Sequence, residues 1–274
     1  MVYAWRSMFR TDESCESTWK GRKGMKDFFQ GFVVAFSMYS KIPMPRIEWT
    51  EKNMKYCICF FPLIGLVIGT LQNVWYALAG YLGFGVLFRT AVLVLIPALV
   101  SGGIHLDGLL DTADALSSYK SREEKLEILK DSHAGAFAVI VGVSYFVLAL
   151  GTYSEVDAKE LQVIGLSFVL SRAFSGLGLV CLRKAKNTGL LRTFSDAAAN
   201  RKVAAVMAGM IALTVAAMLR LSLLRGGIAA AMAVLTFVWY RRMAYRSFGG
   251  ITGDLAGCFL QVCELAVALG VVCV

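Results

Sequence analysis

From about residue 56 onward the chain alternates long apolar runs with short polar segments. A helix needs about 20 consecutive apolar residues to cross a bilayer. The runs are Tyr56–Leu82, Val86–Leu106, Ala134–Tyr153, Leu161–Leu182, Val203–Met218, Gly227–Tyr240 and Leu255–Val274. The fifth and sixth are short and read as a hairpin around Arg220–Gly226 that extends into its flanks. A further apolar stretch, Phe28–Ile42, is closed by Lys41 and Pro43 and reads as an interfacial or re-entrant segment. The pattern predicts an all-α, polytopic membrane bundle of about seven transmembrane helices plus that segment. Residues 28–274 then form one membrane-embedded domain. Residues 1–27 form a polar N-terminal tail that lacks the apolar stretch of a secretory signal.

Composition supports this. Hydrophobic residues make up 57% of the chain, against about 45–50% in soluble domains. The net charge of +9 sits between the runs. Residues 1–27 carry six Lys or Arg, 41–55 four, 107–133 four, 183–202 six and 241–254 three, whereas the alternate loops carry one, one and two. Cytoplasmic loops hold such an excess. The tail and the basic loops are therefore expected in the cytoplasm, the C-terminus outside, and the protein in the cell membrane among anionic lipids. Nucleic-acid binding is disfavoured, because no basic stripe alternates with exposed aromatics. The seven cysteines lie mostly in apolar runs and read as small buried hydrophobes, not as a disulfide framework or a zinc site.

Chemistry concentrates in Ser101-Gly-Gly-Ile-His-Leu-Asp-Gly-Leu-Leu-Asp-Thr-Ala-Asp114. Asp107, Asp111 and Asp114 stand at i, i+4 and i+7. At about 100° per residue they share roughly 60° of a helix face. Three like charges on one stripe repel, and a hard cation such as Mg²⁺ removes the repulsion with oxygen ligands alone. The hexapeptide Gly102-Gly-Ile-x-x-Asp107 recurs as Gly249-Gly-Ile-x-x-Asp254. The recurrence suggests a shared role, in which the backbone approaches a ligand that the Asp then faces. The same loop continues into an amphipathic helix around Arg122–Lys130 and then Asp131-Ser-His133. The next basic loop holds Arg183, Lys184, Lys186 and Arg192, and the last holds Arg246 with the second glycine pair. Acidic groups beside basic loops suit a phosphoryl substrate. His105 and His133 each lie within two residues of an aspartate, as orienting or proton-transfer groups require. Arg172 and Glu264 fall deep within runs and are expected to pair as a structural lock.

Four blocks carry a family likeness: Ile42-Pro-Met-Pro45, Phe61-Pro-Leu-Ile-Gly65, the long acidic block through Lys130-Asp-Ser132 and Gly135, and Gly249-Gly-Ile-Thr-Gly-Asp254. On these the chain resembles the cobalamin synthase family, the adenosylcobinamide-GDP ribazoletransferases, from about Phe28 to the C-terminus. The resemblance implies a Mg²⁺-dependent membrane phosphotransferase. A hydroxyl of α-ribazole, or of its 5′-phosphate, attacks the phosphorus that links cobinamide to GDP. GMP leaves, and adenosylcobalamin or its 5′-phosphate forms. Asp107, Asp111 and Asp114 would hold the metal, and one of them or Asp131 would take the hydroxyl proton, with His105 as a further catalytic candidate. Lys130, Ser132, Arg183, Arg192, Gly249, Gly250, Thr252 and Asp254 are the implied substrate contacts. The family usually has Gly where this chain has Ala115, which reads as a tightened turn, and the tail before Phe28 is longer than the family's. The oligomeric state is left open. A CDP-alcohol-type phosphotransferase is the nearest alternative. A secondary transporter, motivated by Arg172 and Glu264, is the alternative from another class.

Overall fold

The computed structural model describes residues 20–48, 50–54, 56–131, 133–185 and 200–274. Its helices are α1 (Lys20–Tyr39), α2 (Glu51–Met54), α3 (Phe61–Tyr81), α4 (Val86–Ser101), α5 (Ile104–Ser117), α6 (Arg122–Ile128), α7 (Ala136–Ser154), α8 (Ala158–Cys181), α9 (Asn200–Leu221), α10 (Leu223–Ser247) and α11 (Gly253–Val272). A 3-10 turn, Cys57–Phe60, leads into α3. Among the described residues the fold is all-α. Six helical segments are long and apolar enough to cross a membrane, and α4 with α5 makes a seventh apolar unit that is bent by 93°. This is a multi-pass membrane protein. The two short runs do extend into their flanks: α9 and α10 are 22 and 25 residues long and meet at Ser222, whose hydroxyl accepts from Arg225 N–H.

One expected span is corrected. The run Val86–Leu106 is not one helix: α4 stops at Ser101, Gly102 takes φ +67°, and α5 starts afresh at Ile104. A left-handed glycine ends a helix at no steric cost. At ~1.5 Å per residue, α4 is about 24 Å long. The turn carries α5 off its line and across the N-terminal ends of α7 and α11.

The apolar segment before residue 40 forms a helix whose apolar part, Phe29–Tyr39, is shorter than the candidate spans. Gly31 sits against Asn53 and Cys57, Tyr39 against Phe61, and Lys41 N–H donates to Val100 O at 2.8 Å. Both ends of that segment therefore lie beside the N-terminal end of α3. The helix reaches back to Lys20, into the stretch assigned to the polar tail.

α8 is the most enclosed of the long helices. Gly65 and Gly69, a small-xxx-small pair on α3, let the two backbones touch at Phe168 and Gly165. Lipid tails give helices little hydrophobic reason to associate, so such close packing has to hold them. The expected ion pair is present. Arg172 Nη1 lies 2.7 Å from Glu264 Oε1, Ser171 Oγ donates to the same oxygen at 2.8 Å, and both charged side chains are buried. The transporter alternative drew on these two charges, and they pair with each other.

Pro97 inside α4 has no N–H, so Leu93 O loses its helical donor. Gln72 on α3 supplies a replacement: its Nε2 donates to Leu93 O at 2.9 Å. Gln72→Leu should lower stability in detergent by about 1 kcal/mol. In a Pro97→Ala background, where a backbone N–H returns, the same substitution should cost much less. Thermal denaturation of the four proteins tests this.

Candidate functional site

The polar loops converge at one end of the bundle. The α1–α2 loop meets it through Lys41, whose side chain crosses Gly102. The segment after α8 is zipped to the segment before α11: Ile251 N–H donates to Arg183 O at 2.9 Å, and Ala185 N–H to Ile251 O at 3.0 Å. Gly250 lies directly against this backbone, where a Cβ would collide with Lys184 and Ala185. Arg183 Nε donates to Gly249 O at 2.9 Å. Arg183, Gly249 and Gly250 are thus brought together.

The two Gly-Gly-Ile copies play the same structural part. Gly102 and Gly249 both adopt positive φ, at +67° and +77°, after the ends of α4 and α10. Each is followed within a few residues by a new helix with an Asp in its first turn, Asp107 on α5 and Asp254 on α11. These helices cross at their starts. Gly108 rests on the Asp254 backbone, and Gly257 rests on the His105 backbone. Thr252 Oγ1 accepts from Leu255 N–H at 3.2 Å and caps α11.

α5 buries His105, Gly108, Leu109, Thr112 and Ala115 and turns its aspartates the other way. Asp107 is exposed, and Asp111 and Asp114 are half-buried. The charges that act on Asp111 are Asp107, Asp254 and Asp114. Partial burial and these three carboxylates raise the Asp111 carboxyl from 3.8 to about 6. Among the described residues no cation pairs with Asp107 or Asp111. Four carboxylates that repel one another, with oxygen donors only, have the chemistry a hard divalent cation takes. Among the described residues no three His, Cys, Asp or Glu side chains are already drawn into a metal-ligating arrangement.

Asp114 has a second role. Its Oδ2 accepts from Gly135 N–H at 2.6 Å and its Oδ1 from Ala138 N–H at 2.9 Å, so it caps the start of α7. A carboxylate there also meets the positive end of the helix dipole. Its four acceptor sites leave room for a further bond at each oxygen.

The other candidates fall elsewhere. His105 points inward, its ring 6.4 Å from Tyr39 and 5.8 Å from Phe61. Asp131 and His133 are exposed and face each other, with Nδ1 2.7 Å from Oδ1, and this contact holds the Asp131 carboxyl below its ordinary range. Lys130 pairs with Glu127 at 2.6 Å. Ser132, Lys186 and Arg192 lie outside the described residues. Ala115 does not tighten a turn: it is buried inside α5, where Ala costs less conformational entropy than Gly.

Comparison with known proteins gives the family. The pattern of the family described as cobalamin-5-phosphate synthase matches residues 31–272. An adenosylcobinamide-GDP ribazoletransferase of Lachnoclostridium phytofermentans is 48% identical over 87% of this chain and 92% of its own. Proteins of the same description from Clostridium botulinum (strain Alaska E43) and Pseudomonas fluorescens (Pf-5) are 32% and 34% identical, each over 88% of this chain and at least 96% of their own. No solved structure matches.

Proposed function

The chain belongs to the cobalamin-5-phosphate synthase family, and we propose that it joins α-ribazole, or its 5′-phosphate, to adenosylcobinamide-GDP with release of GMP. It is a membrane transferase of a substituted phosphate group in cobalamin nucleotide-loop assembly. The observation that supports the reading best is the meeting of Asp107, Asp111, Asp114 and Asp254 where α5 crosses α11.

Asp107, Asp111 and Asp254 are the side chains that would hold Mg²⁺, with Asp114 sharing its carboxylate between the site and the cap of α7. The ion, when bound, supplies positive charge to the diphosphate oxygens and to the leaving phosphate. The protein's own contribution is placement. The rigid α5–α11 crossing fixes the carboxylates, and the closely packed glycines at positions 108 and 250 keep their elements in register. Displacement at phosphorus needs little more than position and charge. One aspartate of the group, or Asp131, takes the proton of the attacking hydroxyl. The positive charge of the loops supports a cytoplasmic location for this end of the bundle.

Purified protein in detergent should release GMP from adenosylcobinamide-GDP only when ribazole or its phosphate and Mg²⁺ are present. GMP release without an acceptor, or none with both substrates, would refute the reading.

A further inference from the structure

We infer that Arg122, Arg183 and Arg241, gathered at Tyr245 and the carbonyls that follow it, form a cradle for a second phosphate group. That group is distinct from the phosphorus at which displacement occurs. The inference rests on the transferase reading and adds residues to it. Arg122 opens α6 and Arg183 follows α8, 124 and 66 residues away in sequence from the carbonyls they bind. Each spends its Nε on the backbone: Arg122 donates to Arg246 O at 3.1 Å, and Arg183 to Gly249 O at 2.9 Å. An arginine anchored in this way keeps its two terminal nitrogens as a fork that matches two phosphate oxygens.

Tyr245 organises the group. Its hydroxyl accepts from Arg183 N–H at 2.9 Å, and the guanidinium carbons of Arg183 and Arg241 lie 5.3 and 5.6 Å from its ring centre. All three arginines are at least partly exposed, and among the described residues no carboxylate pairs with any of them. The C-terminal end of α10 offers only about half a negative charge against three positive ones. The remainder favours a bound dianion.

Location selects the ligand class. Gly249 and Gly250 run directly from the cradle to Thr252 and Asp254 at the start of α11. A substrate that reaches across this short connection meets carboxylates at one end and guanidiniums at the other. A phosphomonoester on the acceptor has that shape: a reacting hydroxyl at one end and a dianion at the other. An anionic lipid headgroup offers the same chemistry from another source.

The test uses Arg122→Gln and Arg241→Gln in the full chain. GMP release is followed against ribazole and against ribazole 5′-phosphate, in nanodiscs with and without phosphatidylglycerol. Loss of one charge-assisted contact should raise KM for the phosphorylated acceptor about tenfold or more. KM for ribazole and kcat should hold in both lipids, and Arg241→Lys should recover part of the loss. An equal change for both acceptors, or none, would overturn the cradle. A change confined to phosphatidylglycerol nanodiscs would overturn it in favour of lipid. If the wild-type protein released no GMP with either acceptor, the transferase reading would fall instead. The cradle would then stand or fall on whether inorganic phosphate raises the melting temperature of the wild type but not of Arg241→Gln.

Discussion

Asp111→Asn is expected to lower GMP release by about a thousandfold or more while raising the thermal stability of the protein in EDTA. The activity loss follows from removing the central member of the carboxylate group, since charge neutralisation at transferring phosphoryl groups commonly supplies several kcal/mol. The stability gain follows from the same crowding. Asp111 titrates near 6 in the folded protein, above its ordinary 3.8, because of partial burial and the charges of Asp107, Asp254 and Asp114. Folding therefore favours its protonated form. The group costs nothing below pH 3.8, and stability falls as pH rises from there through about 6. Asparagine carries no charge at any pH, so its advantage should be full at pH 7 and gone below about pH 4. Added Mg²⁺ should stabilise the wild type more than the variant. A variant that is inactive and also less stable at pH 7 would mean that Asp111 serves the fold, not the reaction.

The second large effect lies in the membrane interior. Glu264→Gln and Arg172→Gln should each destabilise the protein by about 3–5 kcal/mol, because each leaves a buried charge without its partner. The double variant should recover most of the loss, since the surviving amides can bond each other and Ser171. Glu264 Oε1 receives both Arg172 Nη1 and Ser171 Oγ, at 2.7 and 2.8 Å, so the pair joins adjacent residues of α8 to α11. Melting temperatures of the three variants in detergent decide the matter. Additive losses in the double variant would show that the two residues act independently.

Much of this architecture was legible in the chain because bilayer crossing is a long, local signal. About twenty apolar residues in a row announce a span, and two charges buried in such runs have to find each other, as Arg172 and Glu264 do. The aspartate stripe was equally legible, since helical spacing alone puts Asp107, Asp111 and Asp114 on one face.

What the sequence hid depends on contacts between distant segments. Nothing local says that Asp114 caps α7 at Gly135, or that Arg122 reaches the carbonyl of Arg246. The 93° turn was missed for a different reason. Apolar character continues smoothly from α4 into α5, and only the glycine pair at 102 and 103 breaks the helix. The repeat of that pair before Asp254 was the available clue, since two identical breaks imply two identical helix starts. Pro97 likewise implied an orphaned carbonyl at Leu93, but only the fold identifies Gln72 as its donor.

The central claim is that the α5 aspartates and Asp254 together hold a divalent cation against a substrate diphosphate. Mn²⁺ binding to the purified protein, read by electron paramagnetic resonance, tests it most directly. Bound Mn²⁺ whose spectrum shifts on adding adenosylcobinamide-GDP, and whose binding is lost in both Asp111→Asn and Asp254→Asn, is the predicted result. Mn²⁺ bound equally well by the wild type and both variants, or by none of them with substrate present, would contradict the account.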